Sequence, residues 1–396
     1  MKTSSKKIIV SIFLGMAIIF TYCTYLKSLA TINVKDYGAV GDGAADDTAA
    51  IKSALNDGKN RRIYFPEGEY KITGELPIRG HTTLFGKNAE IKASSDLATM
   101  MEIKGENISI QNLIMNGNKT ALRGMTIEEG SHHVDISNNT IQHLTQPKDP
   151  DLSRLTVTGI RIKGGSSEII IDNNRIHDVM SRNPIKGWDH YVARGILISP
   201  SYNNQSISKN ITISNTEFSK IGPKDDGDGI VVQGFDENVN LEIIDNSFAY
   251  IYKRAIKIQS PGALIKGNKI YNNFDDNNFY QTYSEKKTHD MWSAISVYAD
   301  HTVIEDNTIN GIGNYGRIID VASASHIKIA DNYLKNGGNY KDSSIIAITS
   351  ANAEHAARDL NIFDNVFVNG RYGVFSNSPV SDLNVLNNKQ VNVTED

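Results

Sequence analysis

Ile136-Ser-Asn-Asn139-Thr-Ile141 returns as Ile171-Asp-Asn-Asn174-Arg-Ile176, Ile265-Lys-Gly-Asn268-Lys-Ile270, Ile304-Glu-Asp-Asn307-Thr-Ile309, Ile329-Ala-Asp-Asn332-Tyr-Leu334 and Ile362-Phe-Asp-Asn365-Val-Phe367. β-Branched residues flank an Asn, and Asn tolerates the left-handed backbone of a tight turn, so each copy reads as strand, bend, strand. Successive copies stand roughly 22 to 42 residues apart, which makes the short value the minimal rung and the excess loops. No copy carries a 3.6-residue apolar stripe or the Leu spacing of leucine-rich repeats. The expected fold is therefore all-β: a single-stranded parallel β-helix that grows by adding rungs.

A solenoid of this kind can be one long unit, so residues 31–396 are expected to form a single domain. Residues 1–30 stand apart. Lys2, Lys6 and Lys7 precede the apolar run Ile8 to Phe20, and Ser28-Leu-Ala30 offers small residues for cleavage, the pattern of a secretory signal and of a secreted protein. An uncleaved anchor is the alternative, against which the run is short for a membrane span. Cleavage would remove the only Cys, Cys23, and four Lys with no acid, taking the formal charge from -4 to about -8. On so acidic a protein a cluster of Arg and Lys is informative.

The mature chain opens Ile32-Asn-Val-Lys-Asp-Tyr-Gly-Ala-Val-Gly-Asp-Gly43 and continues through Asp46 and Asp47 to Leu55, then Arg62-Ile-Tyr-Phe-Pro-Glu-Gly-Glu-Tyr-Lys-Ile-Thr73. Asp46 or Asp47 can cap a helix reaching about Asn56, whose apolar side would close the end of the coil within a cap region, residues 31–75. In this opening the chain resembles the pectate-lyase-like superfamily, and the Asn-turn repeat extends the resemblance over nearly all the mature chain. That resemblance implies a right-handed coil and includes polysaccharide lyases, C5-epimerases, polygalacturonase-like hydrolases and tailspikes. It specifies no activity. Asp42, Asp46 and Asp47 are expected to be caps and turns.

Each rung also carries a strand of the form x-small-apolar-x-apolar: Arg123-Gly-Met-Thr-Ile127, Thr158-Gly-Ile-Arg-Ile162, Arg194-Gly-Ile-Leu-Ile198, Asp228-Gly-Ile-Val-Val232, Arg254-Ala-Ile-Lys-Ile258, Ser293-Ala-Ile-Ser-Val297 and Arg317-Ile-Ile-Asp-Val321. With the apolar positions inward, the first, fourth and sixth columns face out on one sheet. The first reads Arg123, Thr158, Arg194, Asp228, Arg254, Ser293, Arg317; the fourth adds Arg161, Lys257 and Asp320; the sixth adds Lys163, Gln233, Gln259 and Tyr298. Rungs stack about 4.8 Å apart, so Arg194, Asp228, Arg254 and Lys257 fall within roughly 10 to 15 Å of one another. The loops entering these strands hold Trp188, His190, Tyr191, Lys224, Tyr250, Tyr252, Tyr280, Tyr283, His289 and Trp292, walls for a groove on a rigid scaffold.

Guanidinium forks on a groove floor grip carboxylates while rings stack on sugars, so the expected partner is an acidic polysaccharide rich in uronic acid, met by a monomer free of the membrane once the signal is cleaved. β-Elimination from such a polymer needs a neutralised carboxylate, a base for the C5 proton and an acid for the leaving oxygen. Arg194 and Arg254 suit the first task. Lys257 or Lys253, among neighbouring cations that lower a lysine pKa, suits the base, with Tyr191 as its partner. Arg161, His190, Lys224, Asp228, Gln233, Gln259 and Tyr298 are expected to bind substrate.

The resemblance sharpens this: Asp228-Gly-Ile followed by Lys253-Arg-Ala-Ile-Lys257 looks like the cleavage-subsite region of alginate-acting β-helix enzymes. The Asp-Pro-His-Asp signature of C5-epimerases is absent, and Trp188-Asp-His-Tyr191 only echoes it, which favours a lyase such as an alginate lyase over an epimerase. Hydrolysis through Asp225, Asp226 and Asp228 is the rival, without the Gly-His-Gly of polygalacturonases; a noncatalytic binder is the other. No cofactor or metal is expected beyond a weak calcium possibility at those acids. Nucleic acid is excluded by the acidic total and the lack of any nucleic-acid fold signature. This register predicts that Arg254→Ala and Lys257→Ala each remove turnover while circular dichroism stays native.

Overall fold

The computed structural model describes residues 31–57, 61–182, 191–222, 227–271, 280–281, 287–288, 293–311, 317–337, 343–351 and 356–395. Nearly every strand joins one assembly in which all pairings are parallel. Each turn of chain lays one strand in each of three sheets. Ala193–Ile198 lies in sheet 1, Lys209–Ser214 in sheet 2 and Glu217–Gly222 in sheet 3; the next turn returns to sheet 1 as Gly227–Gln233, paired with Ala193–Ile198. The protein is a right-handed parallel β-helix. Parallel strands cannot be joined by tight hairpins, and here the crossover is the rest of the coil itself.

The interior is a column of apolar side chains, one layer per rung: Ile196, Ile230, Ile256, Ile295, Ile319 and Ile346 in sheet 1 are all fully buried. At its start the helix Thr48–Asn56 lays buried Ile51, Ala54 and Leu55 over the first rung. Asp47 holds the N-cap position, but its carboxylate accepts from Val40 N and Gly41 N at 2.6 and 3.1 Å. Asp46 instead accepts from Thr48 N at 3.0 Å. Asp42 accepts from Ala44 N and Ala45 N. The three acids are turn and cap residues.

The recurring Asn does more than bend the chain. At the corner between sheets 2 and 3 the left-handed residue is the one before it: Asn138, Asn173, Asp245, Gly267, Asp306, Asp331 and Asp364 all have positive φ. The repeated Asn turns inward instead. Asn307 Oδ1 accepts from Asn268 N at 2.8 Å, while Asn307 Nδ2 donates to Ile265 O and Glu305 O at 2.9 Å and to Asn332 Oδ1 at 2.9 Å. Asn332 and Asn365 repeat the pattern, and Thr216 Oγ1 stands in for one rung. The ladder satisfies corner amides that the sheets cannot reach, because the chain is turning there.

Breaking one rung should cost much more than a surface change. Asn307→Ala strands the buried Asn268 N–H and two carbonyls, at about 1–3 kcal/mol for each unsatisfied group. The expected result is a loss of at least about 3 kcal/mol in urea unfolding; a change below about 1 kcal/mol would show that the ladder contributes little.

Candidate functional site

The strands of sheet 1 stand in the register read from the sequence. Arg123 pairs with Thr158, Thr158 with Arg194, Arg194 with Asp228 and Asp228 with Arg254. The column continues through Ser293 and Arg317 to Ser344 and Tyr372, beyond the seven strands aligned above. Strict alternation does not account for its outward direction, since the first position has the parity of the buried third and fifth. The strand breaks step at the second position. A methyl group on Gly195 would lie 2.5 Å from Gly229 O and 2.9 Å from Phe218, so this small residue faces inward beside an inward Ile. Two rungs on, Ala255 N and Ile256 N both donate to Ala294 O, at 3.0 and 3.1 Å. Two consecutive inward residues break the alternation while the register between rungs is kept, and this break turns the first column out.

At the centre, Asp228 lies between two arginines. Arg254 Nη1 donates to Asp228 Oδ1 at 3.1 Å, and Arg194 Nη1 lies 3.3 Å from Asp228 Oδ2. The predicted proximity is therefore direct contact. Outward does not mean exposed: Asp228 is 0% accessible, Arg194 6%, Lys253 5%, Arg254 8% and Lys257 8%. Lys257 occupies the fourth column of the Arg254 rung, paired with Ser296, and Lys253 N donates to Gly227 O at 2.9 Å. Four buried cations and one acid thus share three successive rungs and the edge beside them.

The remaining candidates are distributed more widely. Tyr191 is half-buried just before Ala193–Ile198; Gln233 and Gln259 are in register, the first half-buried and the second exposed; Tyr298 is half-buried one rung further on. Arg161 is committed to backbone: its guanidinium donates to Ile162 O at 2.7 Å and to Pro200 O at 2.8 Å. Burial, then Arg123 and Arg194, lowers its pKa to about 10. His190, Lys224, Asp225, Asp226, Trp188, Tyr283, His289 and Trp292 lie outside the described residues, and of the segment around Tyr280 only a short antiparallel pairing with Lys287–Thr288 is described.

Along the same face stands a second pair, in the aligned columns but outside the candidate site. Arg317 Nη1 lies 3.4 Å from Asp320 Oδ1, which also accepts from Thr349 Oγ1 at 2.8 Å. Ser293 and Ser296 hydroxyls meet at 2.6 Å between the two clusters. Arg-x-x-Asp with inward neighbours was the available signal. Among the described residues no group of three metal-ligating side chains converges.

Residues 31–240, more than half of the chain, match the family model described as rhamnogalacturonase A/epimerase, pectate lyase-like. The chain belongs to that pectate-lyase-like family. Plasmin and fibronectin-binding protein A of Streptococcus pneumoniae is 21% identical over 92% of this chain and 57% of its own length. Mannuronan C5-epimerase AlgE3 of Azotobacter vinelandii is 25% identical over 51% of this chain and 12% of its own length. The chain thus spans little more than half of the first relative and a small part of the second. Among solved structures, the Streptococcus pneumoniae surface adhesin PfbA superposes with a TM-score of 0.68 at 20% identity, covering 92% and 91% of the two chains. The Azotobacter vinelandii AlgE4 A-module gives 0.53 at 17%, covering 92% and 96%. These likenesses establish the fold.

Because Asp228 is buried against two guanidinium groups, removing it leaves uncompensated charge. Asp228→Ala is expected to lose about 3–5 kcal/mol, read as a fall in the urea midpoint. For the same reason Arg254→Ala should cost stability as well, so the outward direction alone does not make it silent for the fold. An unchanged midpoint for Asp228→Ala would mean that the pair forms no buried network.

Proposed function

We propose that this protein is a secreted polysaccharide lyase that cleaves an acidic, uronic-acid-containing polymer such as alginate by β-elimination. The observation that carries the reading is the contact of Arg194, Asp228 and Arg254 in one column, with Lys253 and Lys257 beside them. A guanidinium with five N–H donors can grip a carboxylate while one arm is tied to an acid. Asp228 then fixes the spacing of two such forks. Arg194 and Arg254 would neutralise the uronate carboxylate, Lys257 or Lys253 would take the C5 proton, and Tyr191 would serve the leaving oxygen. Burial strengthens each of these interactions, because little water competes.

Among the described residues the spacing of acids supports elimination over hydrolysis; Asp225 and Asp226, the acids of the hydrolytic alternative, lie outside them. Paired carboxylates in glycosidases stand about 5 to 9.5 Å apart. On the outward columns of sheet 1 the described acids flanking Asp228 are Glu128 and Asp320, each three rungs away, or about 14 Å. A binding-only role is the second reading, favoured by the overlap along most of both chains with a surface adhesin. In either case the partner is a polysaccharide, and membership of a family of polysaccharide-acting enzymes supports that coarser statement. Secretion rests on the sequence of residues 1–30; among the described residues no helix is long and apolar enough to cross a membrane.

The test is ultraviolet absorbance of unsaturated uronate during incubation with alginate, polygalacturonate, glucuronan and hyaluronan. A rise on one polymer supports the lyase and identifies its substrate. New reducing ends without absorbance would indicate hydrolysis, and retention on a polymer column without either would indicate a binder. Lys257→Ala should abolish the absorbance while keeping column retention, and Arg254→Lys, which keeps charge but loses the fork, should lower kcat about a hundredfold or more.

A further inference from the structure

At the corner where sheet 3 gives way to the chain entering sheet 1, the turns containing Arg123, Thr158 and Arg194 enclose a cleft of about 450 Å³. That is within the range of small-ligand sites. Leu144, Thr145, Met180 and Ser181 line it, with Met180 the half-buried apolar side chain; its rim carries Lys119, His143, Asp178 and Arg182. Nothing in the mechanism proposed above uses these residues.

The rim is ordered by the coil. His143, Asp178 and Lys220 occupy the same left-handed position in three successive turns, with φ of 56°, 53° and 54°, so their side chains line up along the axis. Asp178 is shared: His177 Nδ1 lies 2.6 Å from its Oδ2, His143 Nε2 lies 3.9 Å from that oxygen, and Lys220 Nζ lies 3.8 Å from Oδ1. His143 Nδ1 is 3.2 Å from Asn116 Oδ1. Arg182 is anchored across the mouth, its N–H donating to Gln146 Oε1 at 2.7 Å and its Nη2 to Lys119 O at 3.3 Å. Lys119 and Arg182 remain exposed. Asp178 thus pairs with Lys220, and with Lys119 and Arg182 the rim is cationic on a chain of net charge -4.

We propose that this cleft is an accessory subsite for a single uronate residue of the polymer, held by its carboxylate at Lys119 and Arg182 with its ring against Met180. The inference rests on the acidic-polysaccharide reading. It adds to it a binding position upstream of the Arg194–Asp228–Arg254 cluster. Met180 suits the C–H face of a sugar, and a cationic rim selects for a carboxylate over a neutral hydroxyl. The turn of Thr158, in the middle of the cleft, is three rungs from that of Arg254, about 14 Å along the axis, so a chain of several sugars would touch both and a disaccharide only one.

The experiment is calorimetric binding of hexameric and dimeric oligouronates, with a neutral hexasaccharide as control, to the mature protein and to Lys119→Glu/Arg182→Glu. Both substituted residues are exposed and outside the proposed catalytic cluster. The hexauronate is expected to bind the double variant about tenfold more weakly, the dimer unchanged, and Arg182→Lys as tightly as the parent. Equal hexauronate affinity for parent and double variant would overturn the subsite and leave the functional reading standing. A matching loss for the neutral hexasaccharide would also overturn it, since the effect would not be recognition of charge. A parent protein that binds no oligouronate would overturn both.

Discussion

Everything in this molecule hangs on the stacking of one backbone turn on the next. Parallel ladders set the rungs about 4.8 Å apart, and at the corner of sheets 2 and 3 side-chain amides from Asn139 to Asn388, buried as far as Asn365, carry the hydrogen bonding where the ladders are interrupted. A side-chain amide both donates and accepts, so it can serve the rung above and the rung below at once. This is why Asn, and once Thr216, recurs there, and why the preceding residue absorbs the left-handed turn. Rigid stacking then makes any side chain repeated at one position into a column of fixed spacing.

That spacing lets a buried Asp228 touch Arg194 and Arg254 together. Taking three charged side chains out of water is costly, and the attraction among them offsets this only because the rungs hold the geometry. The break in alternation supplies the direction. Gly195 and Gly229 pass close under Phe218 and Phe248, which stack at 4.8 Å, and this inward crowding is what leaves the first column facing out. Further along, Ala294, Ile318 and Ile345 fill the same inward column, and the outward face changes from paired arginines to hydroxyls and the Arg317–Asp320 pair.

Much of this was legible in the residues. The Asn repeat predicted the coil, and the x-small-apolar-x-apolar strands predicted which residues share a column, because register in a solenoid follows from sequence period. Asp42, Asp46 and Asp47 are the turn and cap residues their positions imply. The exposure of the site was not legible. Arg254 and Lys257 point away from the core, yet they are as enclosed as many core residues. Arg161, alike in column and chemistry, is spent on carbonyls at Ile162 and Pro200 instead. Column membership says which way a side chain leaves the sheet, and says nothing about what it meets there.

By itself, the sequence determined the architecture and the alignment of the candidate residues, since both are periodic and a period is a local property that repeats. The tertiary structure alone decided three things: that the residue before Asn takes the left-handed turn, that Asp228 joins Arg194 to Arg254, and that Lys119 and Arg182 rim a cleft. Each depends on contacts between chain segments about 25 to 65 residues apart, whose meeting is set by loop lengths and side-chain paths that leave no periodic trace.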